Sequence, residues 1–210
     1  MAKEGSQMET ISVLGFAGSL RSGSFNKRLL LAAMEIAPAG MTITPFDLGA
    51  IPLYNYDVEQ QGDPQPVKEF KDAIRRADAL LIATPEYQHG VPGVLKNALD
   101  WASRPPGQSV MQGKPAAIMG ASPGFTGTAR AQTQLRQALT YSQTYAVLQP
   151  EVLVSRANEK FDGEGRLTDA KTREFIGQLL DELWDLARLL QGANESRLNA
   201  ATANLSPRAR

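Results

Sequence analysis

Residues 18–26, GSLRSGSFN, carry more polar donors than a plain turn needs. Ser19, Ser22 and Ser24 offer hydroxyls, Asn26 an amide, and Gly23 open access to the backbone. Arg21 adds a guanidinium able to grip two oxygens at once. A helical pattern begins at Asn26, and a helix N-terminus there would add partial positive charge. Together these groups suit a phosphate monoester. The loop lacks the GK[ST] ending of an ATP-type P-loop and the G-x-G-x-x-G spacing of a dinucleotide fold. A Ser-rich helix-capping turn that binds nothing fits the same residues about as well.

Two further loops are unusual in composition. In residues 85–93, PEYQHGVPG, Tyr87 is placed to flank a planar ring, and the backbone of 86–90 to reach that ring's polar edge. Proline and glycine there would hold the backbone in one shape close to a ligand. The alternative for Tyr87 is an ordinary half-buried aromatic. His89, the chain's single histidine, reads as a surface loop residue without acid–base duty. In residues 122–127, SPGFTG, two glycines and a proline permit close backbone approach, and N–H donors would meet negative charge on a ring. A well-capped turn between strand and helix is the plain alternative. If the three loops meet at one edge, they describe a site for a phosphorylated, flat, heteroaromatic molecule.

That meeting depends on the elements between them. Residues 10–17 (TISVLGFA) form a short apolar run that reads as a strand and stops at Gly18. From Asn26, Leu29, Leu30, Ala33 and Ile36 recur at helical spacing until Pro38 and Gly40. Residues 41–46 fit a second strand, and 48–66 read as irregular. A helix starting near Pro64 or Pro66 carries Val67, Phe70, Ala73, Ile74 and Ala77 on one face. ADALLIAT is a buried strand, 94–102 a short helix, and KPAAIMGAS a fourth strand. A helix over roughly 127–146, a fifth strand in QPEVLVS and a long helix from 168 to 190 complete the series. Strict β-α alternation with near-continuous apolar strands predicts a parallel sheet with helices on both faces. The expected fold is α/β: a flavodoxin-like three-layer sandwich whose five-stranded parallel sheet runs 2-1-3-4-5. In such sheets ligands bind beyond the carboxyl ends of the strands, where all three loops fall. Residues 1–9 read as a flexible N-terminus, 10–191 as one domain, and 192–210 as a mobile tail.

Composition narrows the chemistry. The 22 basic and 22 acidic residues balance, which argues against nucleic acid, an acidic membrane surface, or the one-signed docking field of an electron carrier. No cysteine is present, so disulfides, thiolate metal sites and thiol nucleophiles are excluded. One histidine leaves little for a metal site or a hydrolase-type relay, and no G-x-S-x-G elbow follows a strand. MAKEGSQMET reads against a signal peptide, and apolar runs are too short for membrane insertion. A cytoplasmic place is the expectation.

The three loops also carry a resemblance. GSLRSGSFN resembles the G-S-x-R-x-x-S-x-N phosphate loop of the NADPH-dependent FMN reductase family. TPEYQHGVPGVLKNALDW is similar to that family's T-P-E-Y-N-x-x-x-P-G-x-L-K-N-x-x-D-W signature, and GASPGFTGTARAQ to its G-x-S-x-G-x-x-G-x-x-x-x-Q loop. The resemblance covers roughly residues 10–190 and points toward bacterial quinone and chromate reductases. It implies FMN, with its phosphate on Ser19, Arg21, Ser24 and Asn26. It sets the ring against Pro85, Glu86, Tyr87 and Gln88, and against Ser122, Gly124 and Gly127. It implies NADPH or NADH as co-substrate, a quinone or oxyanion as small-molecule acceptor, no catalytic side chain, and a homodimer or homotetramer. Gln88 stands where the family usually has Asn, and Thr128 where a second Gly is frequent. Lys96, Asn97, Asp100 and Trp101 belong to the signature and are expected to cap, pack or touch a second subunit. The alternative function is a flavodoxin-like FMN electron-transfer module without efficient NAD(P)H oxidation.

Overall fold

A computed structural model describes residues 10–205. The flexible segment expected at 1–9 and the end of the expected tail, 206–210, lie outside the described residues. The chain opens with β1 (Ile11–Ala17), α1 (Phe25–Ile36), β2 (Met41–Phe46) and a short α2 (Tyr56–Glu59). It continues with α3 (Gln65–Arg76), β3 (Ala79–Ala83), α4 (Gly93–Ala102) and β4 (Pro115–Ala121). It closes with α5 (Ala129–Tyr141), β5 (Tyr145–Ala146), β6 (Val152–Val154) and α6 (Ala170–Leu205). All strand pairs are parallel, and the order is β2-β1-β3-β4, with β5 and β6 both on the outer edge of β4. This is the flavodoxin-like arrangement expected.

The central strands are apolar throughout because both faces are covered. Every residue of β3 and β4 is buried. Side chains alternate between faces along each strand. Ala79, Leu81 and Ala83 of β3 pack with residues of α1 and α6, while Leu80 and Ile82 pack with α3, α4 and α5. Lys114, just before β4, donates to the carbonyls of Arg75 and Ala77, which closes the C-terminal end of α3 with a cation.

Three details differ from the sequence expectation. The fifth strand position is split: β5 pairs with Pro115 and Ala116, and β6 with residues 119–121 of β4. Pro150 stands in the link and has no N–H for a ladder bond, so the edge cannot run through it. α5 ends at Tyr141 rather than near 146, because Gln143 is left-handed at φ 55° and Tyr145 and Ala146 pair with β4 as β5. α6 does not stop near Leu190 but continues through Gly192 to Leu205. One glycine costs a helix about 1 kcal/mol, and the Ala-rich stretch that follows supplies good helix formers.

The irregular stretch 48–66 contains a single 3₁₀ turn (Leu48–Ala50) and α2. It is tied to α4 by side chains of the DW-containing signature. Asn97 Nδ2 and Trp101 Nε1 both donate to the Pro52 carbonyl, at 2.8 and 2.9 Å. The Tyr54 N–H donates to Asn97 Oδ1 at 2.7 Å, and Arg104 and the Tyr54 hydroxyl both donate to Glu59 Oε2. Packing is therefore the work of Asn97 and Trp101. Lys96 and Asp100 form an ion pair one turn apart on the same helix.

Candidate functional site

The loops after β1, β3 and β4 converge at the carboxyl edge of the sheet, around a cavity of about 280 Å³. Ser19, Arg21, Ser24, Asn26, Pro85, Glu86, Tyr87 and Ser122 all line it, together with Phe25, Ala121 and Pro123. Gln88, Gly124 and Gly127 do not. One wall is the start of α1. Ser24 caps that helix, its Oγ accepting from the N–H groups of Asn26 and Lys27 at 3.2 and 3.3 Å. The hydroxyl proton stays available to an acceptor in the cavity. Ser19 is buried, and its hydroxyl lies 3.1 Å from that of Tyr87, which links the first and second loops. Arg21 is exposed, with its guanidinium 5.8 Å from the Phe25 ring centre, and makes no ion pair among the described residues.

Asn26 does something its spacing did not announce. Its Oδ1 accepts from the Ala121 N–H and its Nδ2 donates to the Ala121 carbonyl, both at 2.9 Å. A side-chain amide thus pairs with the last residue of β4 as a neighbouring strand would. It ties the first loop to the third across 95 positions of sequence. Both bonds are buried, so they form where water does not compete.

The second loop is held in a strained shape. Tyr87 and Gly90 exchange backbone hydrogen bonds at 3.2 and 3.0 Å around Gln88 (φ 49°) and His89 (φ 63°). Two left-handed central residues define a type I′ turn, where Asn and Gly are the easy occupants. Gln and His pay about 1 kcal/mol or more each for that conformation. Gln134 of α5 braces it, accepting from the Val91 N–H at 3.2 Å and donating to the His89 carbonyl at 3.4 Å. Gly90 leaves room for this brace: a Cβ there would sit 2.6 Å from Gln134 Oε1.

Glu86 turns away from an acid–base role. Its carboxylate accepts from the N–H groups of Arg130 and Ala131, at 2.9 and 3.2 Å, and from Arg130 Nη1 at 3.1 Å. It therefore caps α5. Burial pushes this carboxyl up, but the Ala131 N–H and the guanidinium and N–H of Arg130 outweigh it and hold the group below the usual glutamate range. His89 lies 3.9 Å from the same carboxylate and is largely exposed.

The third loop rests on β6 and the turn beyond it. Ser122 donates through its N–H to Val154 and accepts at its carbonyl from Ala157, at 2.9 and 3.0 Å. Its Oγ accepts from the Gly124 N–H at 3.1 Å. Gly127, at φ 57°, lies against the β6 backbone, where a Cβ would be 2.7 Å from the Leu153 carbonyl carbon. Thr128 is left-handed too, at φ 78°, which explains why glycine suits this position. Its buried Oγ1 accepts from Gln132 Nε2 at 3.1 Å. Among the described residues, no cluster of His, Asp or Glu could hold a metal ion. The cavity offers hydroxyls, a helix N-terminus, a guanidinium and backbone amides, with no nucleophile–base pair. It is equipped to bind and orient an anionic, flat group.

Residues 11–159 match the NADPH-dependent FMN reductase family. The chain is 53% identical, over 88% of its length and 99% of the relative's, to an NAD(P)H-dependent FMN reductase of Pseudomonas aeruginosa. It is 40% identical, over 88% of its length and 97% of the relative's, to a quinone reductase of Pseudomonas putida. Among solved structures, a flavoenzyme NAD(P)H:(acceptor) oxidoreductase from Paracoccus denitrificans superposes with a TM-score of 0.78 at 36% identity, covering 85% of this chain and 98% of that one.

Proposed function

The chain belongs to the NADPH-dependent FMN reductase family, and from that premise we propose that it passes electrons from NAD(P)H through bound FMN to a quinone. The cavity at the carboxyl edge carries this reading, because its lining combines the donor types FMN needs. Ser19, Ser24, Arg21 and the start of α1 supply phosphate-binding groups. Pro85, Glu86, Tyr87 and Ser122 line the same cavity, next to the strained turn at Gln88 and His89. In the proposed role, Ser19, Arg21 and Ser24 hold the phosphate, while Asn26 fixes the distance between the first and third loops. Residues 85–87 and 122–123 border the ring, and Gly127 acts from behind by letting the third loop rest on β6. FMN held there would supply the two-electron redox chemistry between NAD(P)H and the acceptor. The protein's part is to hold, align and polarise, and no side chain serves as nucleophile or general base.

Chromate-type oxyanions fall within the proposed acceptor range, because an open ring face and a cysteine-free chain leave direct transfer as the route. The exposed Leu53, Tyr56 and Val58, on the segment pinned to α4, support a homodimer or homotetramer. The lack of cysteine fits a cytoplasmic place. No helix among the described residues is long and apolar enough to cross a membrane.

Anaerobic stopped-flow absorbance tests the reading. The FMN-loaded protein should bleach rapidly with NADPH and recover rapidly when a quinone is added. Bleaching by neither NADPH nor NADH would favour an electron-transfer module. In parallel, Arg21→Ala should weaken FMN binding about 10-fold or more, the worth of a charge-assisted contact. Full FMN occupancy of that variant as purified would remove Arg21 from the phosphate site.

A further inference from the structure

Arg156 follows β6 by two residues and stands at the same edge of the sheet as the cavity. Its backbone is left-handed, at φ 48° and ψ 47°, a conformation that non-glycine residues adopt at a cost. Neighbouring bonds hold it there. The Arg156 N–H donates to the Gly124 carbonyl at 3.1 Å, and the next N–H, of Ala157, to the carbonyl of the cavity-lining Ser122 at 3.0 Å. The guanidinium is thereby set over the Phe125 ring, 5.1 Å from its centre. Phe125 is 82% exposed, so this stack stands in solvent beside the cavity and buries little.

The charge on Arg156 is also uncommitted. Around the second and third loops, Arg130 is paired with Glu86 and Lys160 with Asp169. Arg156 makes no ion pair among the described residues. Arg21 is already assigned to the FMN phosphate. A reduced dinucleotide that lies on the ring must carry its own phosphates out over the rim, where a planar cation on an aromatic platform suits phosphate oxygens.

We propose that Arg156, set on Phe125, binds a phosphate group of the reduced dinucleotide and so helps determine co-substrate preference. The inference rests on the FMN reductase reading above. Two groups share this chemistry: the diphosphate common to NADH and NADPH, and the 2′-phosphate of NADPH alone.

The test is steady-state kinetics of FMN-loaded wild type, Arg156→Gly and Arg156→Lys with a saturating quinone and varied NADPH or NADH. FMN affinity and the melting temperature are measured alongside. Glycine accepts the left-handed backbone, so Arg156→Gly should melt no lower than wild type and bind FMN equally well. Its KM for NADPH should rise about 10-fold, with kcat changed less than KM. Arg156→Lys should recover part of that loss, since it restores charge but not the guanidinium fork. A rise for NADPH alone identifies the 2′-phosphate, and equal rises for both identify the diphosphate. Unchanged KM values in Arg156→Gly, or a loss of FMN from it, would overturn the inference while leaving the reductase reading intact. Failure of both NADPH and NADH to bleach the wild-type flavin would overturn that reading and the inference with it.

Discussion

Glu86 shows how a residue in the site can serve structure through charge. Its carboxylate is partly buried, and α5 keeps it ionised by pointing N–H groups and a guanidinium at it. Its folded-state pKa is therefore depressed below the value near 4.3 of an unfolded chain. A depressed carboxylate contributes its full stability above the unfolded value and loses it as pH falls through the folded one. Glu59 behaves alike: burial raises it, and hydrogen bonds from the Tyr54 hydroxyl and Arg104 outweigh that and hold it below the usual range. Urea midpoints should thus be flat from neutral pH to about pH 5.5 and fall steeply below about pH 4. Glu86→Gln, which can still accept from both α5 N–H groups, should flatten part of that acid slope. An unchanged slope would mean that Glu86 titrates alike in both states. Much of this site was legible residue by residue. Serines and an arginine before a helix announce an anion site, and Ser19, Arg21 and Ser24 do line the cavity. Asn26 was legible only as a cavity residue, because its partner, Ala121, lies 95 positions away and offers nothing but backbone. Arg156 carried no signal at all, since a left-handed arginine looks in sequence like any loop arginine.

Elements were legible where their own residues decide them. β3 and β4 are apolar at every position because each is buried on both faces, and α3 begins at prolines that suit a first turn. The split between β5 and β6 falls at Pro150, but which stretch of β4 each half pairs with depends on contacts distant in sequence. The contact of the third loop with β6 has the same long-range character, and Gly127 is its pivot. Replacing Gly127 by Ala demands a left-handed alanine and puts a Cβ 2.7 Å from backbone atoms of Leu153, which no rotamer can relieve. The change should cost about 2–4 kcal/mol in urea unfolding and should loosen FMN binding through the displaced loop. Gly163→Ala is the matched control, because its Cβ meets nothing within 4 Å and its φ is ordinary. A Gly127→Ala protein as stable as this control would show that the loop can lift from β6 without loss.

At the scale of the whole molecule, the question is where the folded unit ends. α6 buries Ile176, Leu179, Leu180, Leu183 and Ala187 against the sheet, and Ala187 is the last buried side chain described on it. Gln191 then donates to Asp78 at 3.1 Å, the carboxylate that also accepts from Ser12 at the start of β1. Beyond that point the helix continues to Leu205. The site lies at the opposite kind of position, in loops at the carboxyl edge of β1, β3 and β4, and takes nothing from α6. A chain ending at Gln191 should therefore keep its FMN and melt within about 3 °C of the full chain, the shift expected from a small loss of stability. A chain ending at Leu179 removes three buried side chains of α6 and should not fold into an FMN-binding protein. Differential scanning calorimetry with flavin fluorescence separates these outcomes. A large drop in melting temperature for the Gln191 truncation would make residues 192–205 part of the folded unit. If FMN affinity fell with it, the helix would reach the site through the body of the protein, and the domain boundary would have to move to the end of α6.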